Sequence, residues 1–156
     1  MTMTRRAVAS DQAAIGRLAE AAGLFPADAL PAMIAPALNG EAPDLWIMAE
    51  RDGAAAGFAF AEPEKFTDRT WNLRAIGTDP AWRACGVGST LLAAVEAQLA
   101  GIGARLLIIE TTDADDQIAV RGFYQARGCT QIAVLPDFWE DGVAKLIFAK
   151  RIAAAG

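Results

Sequence analysis

Histidine is absent from this sequence of 156 residues, and cysteine occurs only twice. Zinc sites are built mainly from these two residue types, so a chain whose cysteines, Cys85 and Cys129, lie far apart predicts none. Histidine is also the commonest general base, so proton transfer here would fall to a carboxylate or a water relay. Two cysteines do not form a disulfide framework, and we expect a cytoplasmic protein.

Long apolar runs and basic charge are scarce as well. No apolar run approaches the ~18–20 residues that a membrane span needs, although 54% of the residues are apolar. The N-terminus lacks the basic stretch and apolar segment of a signal peptide. A net charge of −5 argues against general nucleic-acid binding and mildly favours a cationic ligand. We therefore expect neither a membrane nor a nucleic-acid partner.

The length and the acidic residues set two further expectations. A chain of this length can bury a real core, and we expect residues 1–156 to form a single domain. Asp113, Asp115 and Asp116 form an acidic cluster, but the EF-hand spacing and its glycine are missing. We interpret this cluster as a solvated loop and predict no metal.

Apolar periodicity and turn residues predict alternating strands and helices. The predicted strands are Thr4–Ala9, Leu45–Glu50, Ala55–Ala61, Thr70–Thr78, Arg105–Thr111, Gln131–Leu135 and Val143–Arg151. The predicted helices run from Ser10 or Asp11 to Ala22, and over Pro26–Leu38, Gly88–Ile102 and Gln117–Arg127. This alternation is typical of an α/β protein with a mixed sheet.

The stretch from Asp79 to Leu92 is the most informative one. Arg83 is followed by Gly86 and Gly88, and a helix begins at once. Such glycines let the backbone approach a ligand, and the free N–H groups of a first helical turn attract phosphate. No lysine follows as in a Walker A loop, and Leu91 replaces the third glycine of a dinucleotide fingerprint. A phosphate loop of another kind is predicted; a turn that only caps a helix is the alternative.

The pattern Arg83-x-x-Gly86-x-Gly88 resembles the acyl-CoA loop, [Q/R]-x-x-G-x-[G/A], of the GCN5-related N-acetyltransferase (GNAT) superfamily. A second segment is similar to the family's later motif, because it keeps a Phe-Tyr pair and Gly128. Gln117, Val120 and Cys129 there replace the family's Asn, Ala and Phe. The resemblance covers roughly Trp46 to Arg151. It implies a mixed, mostly antiparallel central sheet of about six or seven strands, flanked by about four helices.

The resemblance also implies acetyl-CoA as the acyl donor. The strand before the loop would splay from the strand after the helix, and the pantetheine arm would enter the gap. The backbone of Ile76 and Thr78 would bond to this arm, and Arg83 through Ser89 would cradle the diphosphate. The implied cofactor-binding residues are Ile76, Gly77, Thr78, Arg83, Ala84, Cys85, Gly86, Val87, Gly88, Ser89, Thr90, Gln117, Phe123 and Tyr124.

The implied reaction is direct attack of an amine on the acetyl carbonyl, with Tyr124 as general acid at the thioester sulfur. The alternative for Tyr124 is a half-buried tyrosine that packs beside Phe123. Deprotonating a lysine-like amine at neutral pH costs about 4.6 kcal/mol, but an α-amino group costs only about 1 kcal/mol. A general base therefore matters mainly for the first kind of acceptor.

Glu110 is the predicted general base, because it follows an apolar strand and a partly buried carboxylate has a raised pKa. A structural hydrogen bond is the alternative role, and Glu62 and Glu64 are weaker candidates. Aromatic residues are predicted to line the acceptor pocket, although they could equally be core or dimer contacts. These are Phe66, Trp71, Trp139 and the neighbouring Phe138.

Together these features predict an acetyl-CoA-dependent N-acetyltransferase that acts on the amine of a small molecule or peptide. Two alternatives stay open: a non-catalytic acyl-CoA sensor on the same fold, and an acyltransferase that uses a longer acyl-CoA. Exposed hairpin edges of the family often pair, so the resemblance is also compatible with a homodimer.

Overall fold

A computed structural model describes residues 1–154, which form seven β-strands and four α-helices. The strands are β1 (Thr2–Arg6), β2 (Leu45–Arg51), β3 (Ala54–Pro63), β4 (Thr70–Thr78), β5 (Leu106–Thr112), β6 (Thr130–Glu140) and β7 (Val143–Arg151). The helices are α1 (Gln12–Ala21), α2 (Leu30–Leu38), α3 (Val87–Gly101) and α4 (Ile118–Ala126). Every predicted strand and helix is present: β4 and β7 have the predicted bounds, and the other elements have shifted ends.

The strands form one sheet in the order β1-β2-β3-β4-β5-β7-β6. Only β4 and β5 pair in parallel, and every other neighbouring pair is antiparallel. Parallel neighbours need a crossover connection, which α3 supplies here. The expected mixed, mostly antiparallel sheet with about four helices is confirmed.

Each face of the sheet carries its own apolar core, because successive side chains of a strand point to opposite faces. On one face, α1 and α2 cover Trp46, Met48, Phe58 and Phe60. On the other face, α3 packs on side chains of β2, β3, β4, β5 and β7. The buried residues of α3 include the predicted Leu92, Val95 and Leu99. Ile102, predicted to lie on the same apolar face, is exposed because α3 ends one residue before it.

The parallel strands β4 and β5 separate after a short common stretch. Thr70–Leu73 pairs with Leu106–Ile109, and both strands then continue without a partner on that side. The register between β3 and β4 shifts at the same level: Leu73 faces Ala61 and Ala75 faces Phe60, so Arg74 is an extra residue. Because such a bulge bends its strand, the second half of β4 turns away from β5 and a gap opens.

Two predicted element ends are wrong for identifiable reasons. The first strand was expected over Thr4–Ala9 but ends at Arg6, since the chain turns where Asp11 accepts a hydrogen bond from the Val8 N–H at 2.7 Å. That carboxylate also binds Arg5 and caps no residue of α1. The strand predicted to end at Leu135 continues to Glu140 as β6. It can include Pro136 because β6 is an edge strand, and its pairing with β7 resumes after a register shift that follows Leu135.

Of the helices within residues 1–154, none combines the length and the apolar character needed to cross a bilayer.

Candidate active site

A cavity of about 650 Å³ opens where β4 and β5 separate. One wall is β4 over residues 73–78 and the other is β5 over residues 109–111. The loop after β4, the first turn of α3 and the inner face of α4 close its third side. The lining includes most of the predicted cofactor residues: Ile76, Gly77, Thr78, Arg83, Ala84, Gly86, Val87, Gly88, Ser89, Gln117, Phe123 and Tyr124.

Two residues of that predicted set do not line the cavity. Cys85 is exposed, and its carbonyl accepts a hydrogen bond from Arg51 Nη1 at 3.0 Å. The hydroxyl of Thr90 donates to the Gly86 carbonyl at 3.0 Å inside the start of α3. The side chain of Thr90 therefore holds the helix start together and is directed to its own backbone.

The first turn of α3 has no side-chain cap. Gly86 occupies the N-cap position with a φ of +81°, a left-handed conformation that suits glycine. Val87, Gly88 and Ser89 follow, and an uncapped first turn leaves such N–H groups without intrahelical partners. This end of α3 borders the cavity, so it offers an anion both hydrogen-bond donors and the positive end of the helix dipole.

Gly88 serves a second purpose that the motif alone did not indicate. A Cβ atom at this position would lie 3.3 Å from the Phe123 ring. The missing side chain therefore lets α4 approach the start of α3 closely. This contact brings the two predicted motifs into one wall of the cavity.

Arg51, at the end of β2, supports the loop from outside the cavity. Besides its bond to the Cys85 carbonyl, its guanidinium lies 5.0 Å from the centre of the Trp82 ring. No motif marked Arg51, because it reaches the loop only through the antiparallel pairing of β2 with β3. The bond from Arg51 holds the Cys85 carbonyl on the side away from the cavity. Because the C=O and N–H of one peptide unit point in opposite directions, this bond helps to direct the Gly86 N–H toward the cavity.

Main-chain polar groups of β4 face the gap. The Asp79 N–H donates to the Ala56 carbonyl at 2.8 Å, in the same register that places Thr78 opposite Gly57. Hydrogen bonds to a given neighbour alternate along an antiparallel strand. The N–H and C=O groups of Thr78 and Ile76 therefore point away from β3 and into the gap.

Tyr124 lies on α4 and lines the cavity although only 5% of its surface is exposed. Its ring packs against Phe123 at 5.3 Å and against Phe148 at 6.1 Å between centroids. Burial raises the pKa of the Tyr124 phenol above its ordinary value of 10.0, with a smaller contribution from Cys129. The phenol therefore stays neutral across the physiological range and keeps a proton to donate.

Glu110 lies on β5 just beyond the last pair with β4, where it lines the cavity. Its Oε1 is 2.9 Å from Lys145 Nζ, and its Oε2 is 3.4 Å from Arg74 Nη1. Arg74 also binds Glu62 at 2.8 Å. The sequence argument expected a partly buried carboxylate, and 17% of the Glu110 side chain is exposed; the two cations beside it were not expected. Among residues 1–154, the carboxylate of Glu64 has one hydrogen-bond partner, the Asn72 side-chain amide at 3.5 Å.

The predicted acceptor residues separate into two groups. Trp139 Nε1 donates to the Thr111 carbonyl at 3.2 Å, beside Glu110, and Phe138 packs edge-on against Trp139. Lys145 Nζ lies 4.2 Å from the centre of the Phe138 ring. Trp71, in contrast, is buried in the core beneath α3, and Phe66 is fully exposed in the β3–β4 turn away from the cavity. None of the four aromatic residues lines the cavity itself; Phe138 and Trp139 lie beside Glu110 at its edge, and Trp71 and Phe66 lie away from it.

The charges around the cavity differ between its two ends. Near the loop, no carboxylate of residues 1–154 lies within ion-pair distance of Arg51, Arg83 or Arg127. At the Glu110 end, Arg74 and Lys145 are both neutralised by carboxylates. No cluster of three metal-ligating side chains occurs within the same described range. The unneutralised positive charge of the cavity is therefore concentrated at the uncapped helix.

Comparison with known proteins agrees with this geometry. Residues 18–129 match the family model described as "Acetyltransferase (GNAT) family". The chain therefore belongs to the GNAT acetyltransferase family. No curated protein gave a significant match. A structure of a GNAT-family acetyltransferase from Desulfovibrio desulfuricans is 30% identical, with a TM-score of 0.90 over 98% of this chain and 100% of that chain.

Two more distant structures share the fold. The ribosomal-protein-S18-alanine N-acetyltransferase from Escherichia coli is 20% identical, with a TM-score of 0.80 over 100% of this chain and 97% of that chain. An aminoglycoside 6'-N-acetyltransferase complexed with coenzyme A is 17% identical, with a TM-score of 0.83 over 99% of both chains. At these identities the likeness concerns the fold alone.

Proposed function

We propose that this chain is an acetyl-CoA-dependent N-acetyltransferase, that residues 1–156 act as a single domain, and that the acceptor is the primary amine of a small molecule or peptide. One observation carries the proposal. The gap between β4 and β5 combines an uncapped helix N-terminus at one end with a buried phenol on its wall. The first suits a diphosphate and the second suits a departing sulfur.

The residues present fit coenzyme A. The first-turn amides of α3 and the guanidinium of Arg83 would hold its phosphates. The gap-facing polar groups of Ile76 and Thr78 match an extended amide-bearing arm, as another strand would. When bound, acetyl-CoA supplies an activated acetyl thioester. The local donors offset the unfavourable net charge of −5, because screening weakens distant charges more than contacts.

Tyr124 is the proposed general acid. Its neutral phenol would donate a hydrogen bond to the thioester sulfur and give up the proton as negative charge develops there. The apolar packing around the ring would strengthen this hydrogen bond, because it keeps water away. A raised pKa does not oppose this role, since it ensures that the proton is present before the bond breaks.

Glu110 is the proposed general base, acting directly or through a water. Its ion pairs with Arg74 and Lys145 keep the carboxylate in place at the cavity. Glu62 and Glu64 lie toward the same end and are the alternative bases. An acceptor with an α-amino group needs little help, because its deprotonation costs only about 1 kcal/mol at neutral pH.

The engagement of Glu110 is also the observation that favours the alternative, a non-catalytic acyl-CoA sensor. A carboxylate that already accepts from two cations has fewer lone pairs left for an amine proton. The test measures thiol release from acetyl-CoA against a panel of amines and peptides, with longer acyl-CoAs in parallel. Turnover with an amine supports the enzyme, and calorimetric binding of acetyl-CoA without any turnover supports the sensor. No binding would overturn both.

A further inference from the structure

Arg127 closes α4 and reaches across to the first turn of α3. Its Nε donates to Ser89 Oγ at 3.0 Å, and its Nη1 donates to the Phe123 carbonyl at 3.0 Å. The guanidinium lies 3.9 Å from the centre of the Phe123 ring, and the residue lines the cavity. Arg127 therefore ties the helix that carries Tyr124 to the turn that carries the free amides.

The charge of Arg127 has no anionic partner among residues 1–154. The nearby ion pair does not neutralise it: Lys150 Nζ, which pairs with Glu96 at 2.6 Å, donates a hydrogen bond to the main-chain carbonyl of Arg127 at 2.8 Å. A half-buried guanidinium without a carboxylate is costly, because burial removes water from a charge that nothing neutralises. Such a cation on the wall of a cavity is well placed to bind an anionic ligand.

The hydrogen-bond pattern leaves donors for that ligand. Within the described residues, Nε and Nη1 of Arg127 have protein acceptors whereas Nη2 has none. Ser89 Oγ accepts from Arg127, so its own hydroxyl proton is free to be donated. Together, Nη2 and the Ser89 hydroxyl form a donor pair beside the α3 amides.

We propose that Arg127 and Ser89 bind a phosphate group of acetyl-CoA from the α4 side, opposite to Arg83. This inference rests on the proposed function, and it adds Arg127 and the side chain of Ser89 to the phosphate site that the glycine loop predicts. Because the same guanidinium stacks on Phe123, ligand binding at Arg127 would also fix the helix position from which Tyr124 faces the cavity.

The test compares R127Q and R127K by calorimetric titration with CoA at about 50 mM and about 500 mM KCl. R127Q is expected to raise the Kd for CoA about 10- to 100-fold at low salt, which is the loss typical of one charge-assisted hydrogen bond. The increase should be smaller at high salt, because salt screens the attraction between the guanidinium and the phosphate. R127K should lose much less, since it keeps the charge. R17Q is the matched control, because Arg17 is an exposed residue of α1 and its removal changes the net charge equally.

A second measurement needs no substitution. Phenylglyoxal modifies accessible arginines, and mass spectrometry locates the modified residue in the wild-type protein. CoA is expected to protect Arg127, and the phosphate-free analogue pantetheine is not. CoA binding without protection of Arg127 would overturn the inference, as would equal losses for R127Q and R127K at both salt concentrations. A wild-type protein that binds no CoA would instead overturn the proposed function, and the inference with it.

Discussion

Lys145 Nζ lies 2.9 Å from Oε1 of Glu110, beneath the ring of Phe138. The two residues come from neighbouring antiparallel strands, β7 and β5, which pair Thr112 with Lys145 and Glu110 with Ile147. The ion pair therefore depends on register and not on closeness in sequence. It joins the candidate base to the aromatic residue Phe138 of β6.

Substitution E110Q tests the role of this carboxylate. If Glu110 is the base, kcat for a lysine-like amine should fall about 100-fold or more, since assisted deprotonation is lost. The KM for acetyl-CoA should change little, because Glu110 lies at the other end of the cavity from the loop. The loss should be smaller with an α-amino acceptor. Steady-state kinetics with both acceptor types would make the comparison, and unchanged turnover at all pH values would remove Glu110 as the base.

Substitution Y124F removes the phenol oxygen but keeps the ring between Phe123 and Phe148. We expect kcat to fall about 10- to 100-fold while CoA binding stays the same, because the proton at sulfur is lost and the packing is not. F148L is a useful comparison, since it disturbs the packing of Tyr124 and leaves its hydroxyl. Equal kcat for Y124F and wild type would exclude the general-acid role.

The phenol of Tyr124 also predicts a pH dependence of stability. Its folded-state pKa is raised above the unfolded value near 10, so the folded protein keeps a proton that the unfolded chain releases. This contribution to the free energy of unfolding is complete below pH 10 and is lost as pH rises above it. Urea unfolding at pH 8 to 11 should show a steeper alkaline loss for wild type than for Y124F. Parallel curves would contradict the burial of a neutral phenol.

Substitution G88A tests the close approach of α3 and α4. The added Cβ would lie 3.3 Å from the Phe123 ring, so Phe123 and α4 must shift by a few tenths of an ångström. We expect CoA affinity to fall several-fold, with destabilisation of about 1 kcal/mol. G101A is the matched control, because it adds the same methyl group to α3 with no atom within 4 Å. Equal CoA affinities for the two variants would contradict the packing role of Gly88.

Substitution R51Q tests support of the loop from outside the cavity. Removing the bond to the Cys85 carbonyl and the contact with Trp82 should loosen the loop and raise the Kd for CoA several-fold. Because Arg51 does not line the cavity, kcat at saturating acetyl-CoA should remain near that of wild type. R6Q, which alters an arginine of the edge strand β1, serves as the control. A fall in kcat without a change in Kd would contradict this role.

The sequence by itself determined the elements that depend on local pattern. The spacing of Leu92, Val95 and Leu99 predicted α3, and the glycines at 86 and 88 predicted the site at its start, because each of these signals spans no more than about two helical turns. Most of the predicted cofactor-binding residues come from two short motifs, and the cavity lining includes twelve of the fourteen. The family was identifiable for the same reason.

Only the tertiary structure decided which side chains meet. Glu110 could be selected as a buried carboxylate, but its two cations come from β4 and β7 and became its neighbours through the sheet register. The sequence around Trp71 does not say which face of β4 a helix covers. In the structure α3 covers the face that carries Trp71, and this side chain therefore belongs to the core. Arg51 and Arg127 act on the loop through contacts 34 and 38 residues away in sequence. Local periodicity carries no information on such pairs, because they exist only once both cores have formed.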